Sequence, residues 1–130
     1  MAEQKDLDFT YTTIDEIFRL SMGETGDYSG AKYDGDFSMT LEEAQKEKHK
    51  FIADSLNIAK GSKVLDMACG WAPFMRYITH ERDAKSIGLT LSQGQADACR
   101  KNGYKVMVKD CRYVKQEDFG IFDAITCIGG

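Results

Sequence analysis

Val64-Leu65-Asp66-Met67-Ala68-Cys69-Gly70-Trp71-Ala72-Pro73 is the stretch from which the architecture of this 130-residue chain follows. An apolar run reaches an acid, narrows to small residues and leads into Pro73-Phe74-Met75-Arg76-Tyr77-Ile78. That order reads as a buried strand, a tight turn and a helix start. Pro73 suits the first helical turn, where the N–H it lacks has no intrahelical partner. Such a turn leaves free backbone N–H groups and the positive end of a helix dipole at the strand's carboxyl edge. This is a ready site for a nucleotide-like ligand.

Strands and helices alternate downstream. Ala84–Thr90 reads as a second strand, and Ser92-Gln93-Gly94-Gln95 opens a helix with a Ser-x-x-Gln capping box. Asn102-Gly103 stops that helix in left-handed fashion. Tyr104–Lys109 is a third strand, with Asp110-Cys111-Arg112 at its carboxyl end, and Ile121–Ile128 is a fourth. From Lys63 the order β-α-β-α-β-loop-β predicts a parallel sheet with right-handed crossovers, strand order 3-2-1-4 and helices on both faces.

Upstream, Ile14–Leu20 fits a short helix, and the glycines between Gly23 and Gly35 mark a loop whose Tyr28 and Tyr33 pack on something. Thr40-Leu41-Glu42-Glu43 is a capping box that opens a helix running to Asn57, with Leu41, Ala44, Phe51, Ile52 and Leu56 along its apolar face. The chain thus divides into an N-terminal helical and loop cap, residues 1–57, and an α/β portion, residues 58–130.

Composition excludes several classes. The chain is 42% hydrophobic and 29% charged with one proline, so it builds a core. A net charge of −4 without a basic cluster argues against nucleic acid. No apolar run reaches membrane-spanning length and the start is no signal peptide, which predicts a cytoplasmic protein. Cys69, Cys99, Cys111 and Cys127 form no C-x-x-C and read as free buried thiols. His49 and His80 lack a partner at ligand spacing and read as surface helix residues; no metal site is expected. A buried fourth strand followed only by Gly129-Gly130 predicts a portion of a longer protein, or a small domain whose edge pairs with another subunit.

A dinucleotide site wants G-x-G-x-x-G after the first strand and an acid after the second. Here those glycine positions hold Ala68, Gly70 and Pro73, and the second strand ends Thr90-Leu91-Ser92. Both features disfavour an NAD-dependent oxidoreductase. Val64–Trp71 instead resembles the first motif of class I S-adenosylmethionine methyltransferases. Cys69-Gly70-Trp71 followed by Gly88-Leu89-Thr90-Leu91-Ser92-Gln93-Gly94-Gln95 is similar to the cyclopropane-fatty-acyl-phospholipid synthase and mycolic acid cyclopropane synthase family. In that family a Thr-x-Ser-x-x-Gln turn replaces the acid. Tyr28-Ser29-Gly30-Ala31-Lys32-Tyr33, Met39–Lys48 and Phe122–Gly129 match its Tyr-Ser loop, its Leu-Glu-x-Ala-Gln helix and its fourth strand. Five motifs stand in register over residues 10–130, which implies a Rossmann-like methyltransferase fold, incomplete here.

The resemblance implies the site. Tyr28 and Ser29 offer hydroxyl donors to the carboxylate of S-adenosylmethionine. Ala68 and Gly70 meet its amino end with the backbone, and Asp66 orders the turn. Thr90, Leu91, Ser92 and Gln95 surround the ribose and the adenine edge. Asp110 accepts from the adenine amino group, the N–H of Cys111 serves a ring nitrogen, and Ile128 and Gly129 border the sulfonium. From the residues alone, Ser92 with Gln95 is also a capping box, Asp110 also a cap, and Trp71 packing. The family usually carries glycine where Ala68 and Ala72 stand, so added methyls narrow the turn. Its Glu-His pair and acceptor pocket follow the fourth strand, beyond Gly130. The implied function is methyl transfer to a lipid acyl double bond or another small-molecule acceptor, by a longer parent that also admits membrane-surface contact or a homo-oligomer. This portion alone is expected to be inactive. The second reading is a non-catalytic cofactor-fold module that pairs with a partner.

Overall fold

The computed structural model describes residues 5, 6, 9, 10, 13, 17, 27 and 29–128. Lys5, Asp6, Phe9, Thr10, Thr13 and Ile17 are helical. Of the helix expected over residues 14–20, Ile17 alone is among the described residues. The ordered elements are α1 (Leu41–Ser55), β1 (Lys63–Asp66), α2 (Pro73–Arg82), β2 (Lys85–Thr90), α3 (Gln93–Lys101), β3 (Val106–Val108), a 3₁₀ turn (Cys111–Tyr113), α4 (Gln116–Phe119) and β4 (Ala124–Thr126).

All strand pairs are parallel and the sheet order is β3-β2-β1-β4. Register sets which residues share a face. Val64, Asp66, Gly88, Val106, Ala124 and Thr126 lie on one; Leu65, Ile87, Leu89 and Ile125 lie on the other. The first face carries α2 and α3, because two successive right-handed crossovers in one direction put their helices on the same side, and α1 joins them there through Ala53. Val64 packs there with Ala53, Ile58, Phe74 and Ile78. Met75, Ala96, Cys99 and Val106 form a second cluster beside it. The opposite face is covered at Leu65, Ile87 and Leu89 by the segment between β3 and β4, through Val114, Phe119 and Phe122. Helices thus flank both faces, unequally.

Three elements differ from the sequence expectation. β3 spans Val106–Val108, within the run 104–109. β4 spans Ala124–Thr126, within the run 121–128, because its ladder is limited by β1, its one partner in the sheet. Asp123 pins its entry: its N–H donates to Lys63 O at 2.7 Å and its carboxylate accepts from Lys63 N–H at 2.8 Å. The stretch read as a loop holds α4, four residues long and ended by Gly120 at φ 83°.

The buried face of α1 also differs. It buries Ala44, Gln45, Lys48, His49 and Ala53, while Leu41, Phe51 and Leu56 are exposed. The Thr40 hydroxyl accepts from Glu43 N–H at 3.1 Å as the capping box predicts. Of the four free cysteines, Cys69 and Cys99 are buried, Cys111 is half-buried and Cys127 is exposed, so the expectation of four buried thiols is corrected.

Candidate functional site

After Asp66 the chain reverses within six residues. Gly70 at φ 56° and Ala72 at φ 65° both take the left-handed conformation, and Pro73 follows as the first residue of α2. Asp66 Oδ1 accepts from Ala68 N–H at 3.3 Å, so this carboxylate does order the turn. Cys69 N–H donates to Leu89 O at 3.0 Å and ties the turn to β2. That approach requires a glycine in β2. A Cβ on Gly88 would lie 2.8 Å from Cys69 Sγ and 2.5 Å from Met75 Sδ.

The strand ends open onto a cavity of about 380 Å³, within the range of small-molecule sites. At the end of β2, Thr90 Oγ1 donates to Gln95 Oε1 at 2.6 Å and accepts from Ser92 N–H at 3.2 Å. Ser92 caps α3, its hydroxyl accepting from Gln95 N–H at 3.2 Å. At the end of β3, Asp110 caps the 3₁₀ turn through Arg112 N–H at 3.0 Å. Its carboxylate is also held by the Arg112 guanidinium, with Nη2 at 2.6 Å from Oδ2. The Arg112 side chain keeps the Asp110 carboxyl below its ordinary range.

The remaining wall comes from α1 and the loop before it. Asp27 is buried and lies 2.8 Å from His49 Nε2 and 3.0 Å from Lys48 Nζ. Ser29 Oγ donates to Asp27 Oδ1 at 2.7 Å, and Gln45 Nε2 donates to Ser29 O at 2.8 Å. The described part of the loop thus meets α1 through polar groups, Asp27 and Ser29, while Tyr33 stacks on Phe37 and Tyr28 lies outside the described residues. Burial pushes the Asp27 carboxyl up, but hydrogen bonds from His49, Ser29 and Lys48 outweigh it and bring the pKa to about 2. Asp66 goes the other way. Burial, with the charge of Asp27 adding to it, raises its pKa to about 6 against the pull of Ala68 N–H.

The described residues that the motifs single out all line this one cavity: Ser29, Asp66, Ala68, Gly70, Thr90, Leu91, Ser92, Gln95, Asp110, Cys111 and Ile128. Tyr28 and Gly129 lie outside the described residues. Trp71 lines the cavity too, half-buried. Three details differ from the implied roles. The Ser29 hydroxyl is already engaged by Asp27 and Lys48. Both Asp110 oxygens are engaged by Arg112. Cys69 and Cys99 direct their thiols at the Gly70 carbonyl, 3.7 and 3.6 Å away.

His49 corrects the sequence reading outright. It is 6% exposed, lines the cavity and stands against Phe74 and Tyr77, while His80 is exposed as expected. The reason is the Asp27 carboxylate, which repays the burial of an imidazole. Asp27 escaped the sequence reading as well. A signal was present: Gln45, Lys48, His49 and Ile52 recur at helical spacing beside Ala44 and Ala53. Among the described residues no cluster of His, Cys, Asp and Glu could hold a metal ion.

Comparison with known proteins gives the family and the fold. The family model described as mycolic acid cyclopropane synthetase matches residues 1–129. The chain is 42% identical over 85 residues, 65% of its length, to cyclopropane mycolic acid synthase 2 of Mycobacterium bovis. The structure of the cyclopropane synthase MmaA2 from Mycobacterium tuberculosis superposes with a TM-score of 0.83 at 31% identity over 99% of this chain. A mycolic acid cyclopropane synthase complexed with SAH and CTAB superposes with a TM-score of 0.85 at 28% identity over 98% of it. The chain spans 28% of that curated relative and 46% of each of these solved chains.

Proposed function

The chain belongs to the mycolic acid cyclopropane synthetase family, and from that premise we propose that it is the cofactor-binding portion of an S-adenosylmethionine-dependent methyltransferase. One observation carries the reading. Residues from five separate stretches, given roles by the resemblance, converge on a cavity at the carboxyl edge of a parallel sheet, around a left-handed turn into a helix. This is the position where open α/β sheets take their ligands.

The residues present suit the cofactor. The β2 end supplies neutral side-chain and backbone groups, Thr90, Leu91, Ser92 and Gln95, for the ribose, and the β3 end supplies the Asp110 carboxylate with Cys111 N–H for adenine. The β1 end supplies Asp66, the Ala68 carbonyl and Gly70 for the amino group, with Tyr28 and Ser29 near the carboxylate. Ile128 and Gly129 border the sulfonium. The cofactor supplies an electrophilic methyl carried on a sulfonium. Asp66 is buried on a central strand of the sheet, where a carboxylate favours a neighbouring cation.

Residues 1–57 act as a cap over the α/β portion, residues 58–130. The acceptor is the double bond of a lipid acyl chain or another small molecule, and the groups that act on it come from polypeptide beyond this portion. This chain alone binds cofactor without transferring methyl. We place the protein in the cytoplasm, with contact to a membrane surface or a second copy belonging to the longer protein. No helix among the described residues is long and apolar enough to cross a membrane.

The test is calorimetric titration of the 130-residue chain with S-adenosylhomocysteine, with NAD as control. Saturable binding of the first alone is expected. NAD binding the tighter of the two reinstates the oxidoreductase reading. A second reading, a non-catalytic module that pairs with a partner over the fourth strand, is favoured by the exposure of Ile125 on the sheet face there, 57%. A defined dimer by light scattering, together with no nucleoside binding, establishes it instead.

A further inference from the structure

Behind the cavity wall sits a positive charge that a ligand does not touch. Lys48 is buried on α1 and is not among the residues that line the cavity. Its ammonium donates to Asp27 Oδ1 and Oδ2 at 3.1 and 3.0 Å, to Gln45 Oε1 at 2.7 Å, and to Ser29 Oγ. An ammonium has three donors, and Asp27, Gln45 and Ser29 occupy them. Lys48 is therefore not a ligand-binding group. Its partners Asp27 and Ser29 do line the cavity, and so does His49, the other group on Asp27.

Asp66, a second carboxylate, also lines the cavity. Asp66 senses the charge of Asp27, so the two acids belong to one electrostatic environment. A ligand carboxylate entering there meets Asp27 at close quarters in a low dielectric, where like charges repel strongly. Lys48 cancels that repulsion from behind, since the Asp27–Lys48 pair carries no net charge.

We propose that Lys48 determines specificity for the amino-acid end of the S-adenosyl ligand, as a positioning residue that neutralises Asp27 and fixes the Ser29 loop. The proposal rests on the cofactor reading above. It separates two ligands that differ at one group: S-adenosylhomocysteine and its decarboxylated analogue, which keeps the amine and the nucleoside. Without Lys48 the first meets an unbalanced Asp27, and the second lacks the carboxylate that Asp27 would repel.

The experiment is titration of the full chain and its Lys48→Met variant with both ligands, by calorimetry with competition for weak binding. Lys48→Met is expected to weaken S-adenosylhomocysteine about tenfold and the analogue by less than about twofold, as befits loss of one buried charge partner. Equal weakening of both ligands marks a merely structural role and overturns the proposal, as does no weakening of either. Should Lys48→Met fail to fold, Asp27→Asn decides in the opposite sense. It keeps the shape, removes the negative charge, and is expected to favour S-adenosylhomocysteine over the analogue by about threefold or more; an unchanged ratio there overturns the proposal. If the unaltered chain binds neither ligand, the cofactor reading falls and this inference with it. If it binds both and the ratio does not move, this inference alone falls.

Discussion

Gly88 of β2 lies so close to Met75 of α2 that a Cβ on it would stand 2.5 Å from the Met75 sulfur, with Cys69 Sγ and Cβ at 2.8 and 2.9 Å. A methionine tip can swing aside, but Cys69 belongs to the turn after β1 and is itself buried. We therefore expect Gly88→Ala to destabilise the chain by about 1–3 kcal/mol, the range of core overpacking. Urea unfolding checks this. Met75→Ala in the same chain should recover part of the loss, because it removes one of the two obstacles, and a double-mutant cycle would read that coupling.

Ala72 presents a balance of opposed terms. Its left-handed conformation, φ 65° and ψ 38°, costs an L-residue about 1–2 kcal/mol. Glycine relieves that cost but brings about 0.5–1 kcal/mol of chain entropy and deletes a buried methyl worth about 0.8 kcal/mol. The methyl is real here, since Ala72 is 1% exposed and packs with Cys69, Met75 and Cys99. Ala72→Gly should thus change stability by less than about 1 kcal/mol. Ala72→Val should cost about 2 kcal/mol or more, from a branched side chain at positive φ and overpacking together. A large loss in the glycine variant would refute this balance.

The pH dependence follows from Asp66. Its carboxyl titrates at about 6 in the folded chain against 3.8 as the ordinary value. Between those values the folded state holds a proton that the unfolded state has lost, so stability falls as pH rises from 4 to 6. The difference between the two values corresponds to about 3 kcal/mol, and Asp66 is 2% exposed, so solvent screens little of it. Unfolding midpoints should therefore fall over that window in the unaltered chain and stay flat there in Asp66→Asn. A ligand ammonium beside Asp66 would stabilise the ionised form and flatten the same slope.

Asp27 acts in the opposite direction. Its carboxyl titrates at about 2 when folded, below 3.8, so its contribution is present above that value and is lost as pH falls from 4 towards 2. The two acids together place a stability maximum near pH 4. Asp27→Asn should shrink the acid limb and leave most of the Asp66 limb, whose main cause is burial and to which the Asp27 charge only adds. If acid unfolding of that variant followed the unaltered chain, the Asp27–Lys48–His49 cluster would not be the cause.

These groups show where the sequence is informative. The β1 turn into α2 is legible because it is local: small residues, then Pro73, within ten positions. The sheet order is legible because alternation and crossover handedness leave few choices. The buried face of α1 is not. Lys48 and His49 turn inward only because Asp27, about twenty residues earlier, meets them, and a helix read by its apolar residues alone points Phe51 inward instead. Asp110 shows the intermediate case. Its position at the end of β3 is local and legible, but its grip on Arg112 is side-chain geometry.

That grip makes Asp110 the sharpest test of the nucleoside end. Three N–H groups of Arg112, on the backbone, Nε and Nη2, point at the carboxylate; of its four lone-pair directions one is left for the amino group of adenine. Asp110→Asn keeps the shape and turns one oxygen into a donor. The variant should bind S-adenosylhomocysteine about tenfold more weakly, the effect of leaving a polar pair mismatched. It should lose much less affinity for the inosine counterpart, whose ring carries an oxygen at that position and can accept from the asparagine amide. Titration of both nucleosides against both chains gives the comparison. Equal losses for the two would mean that Asp110 serves the fold through Arg112 and does not read the base.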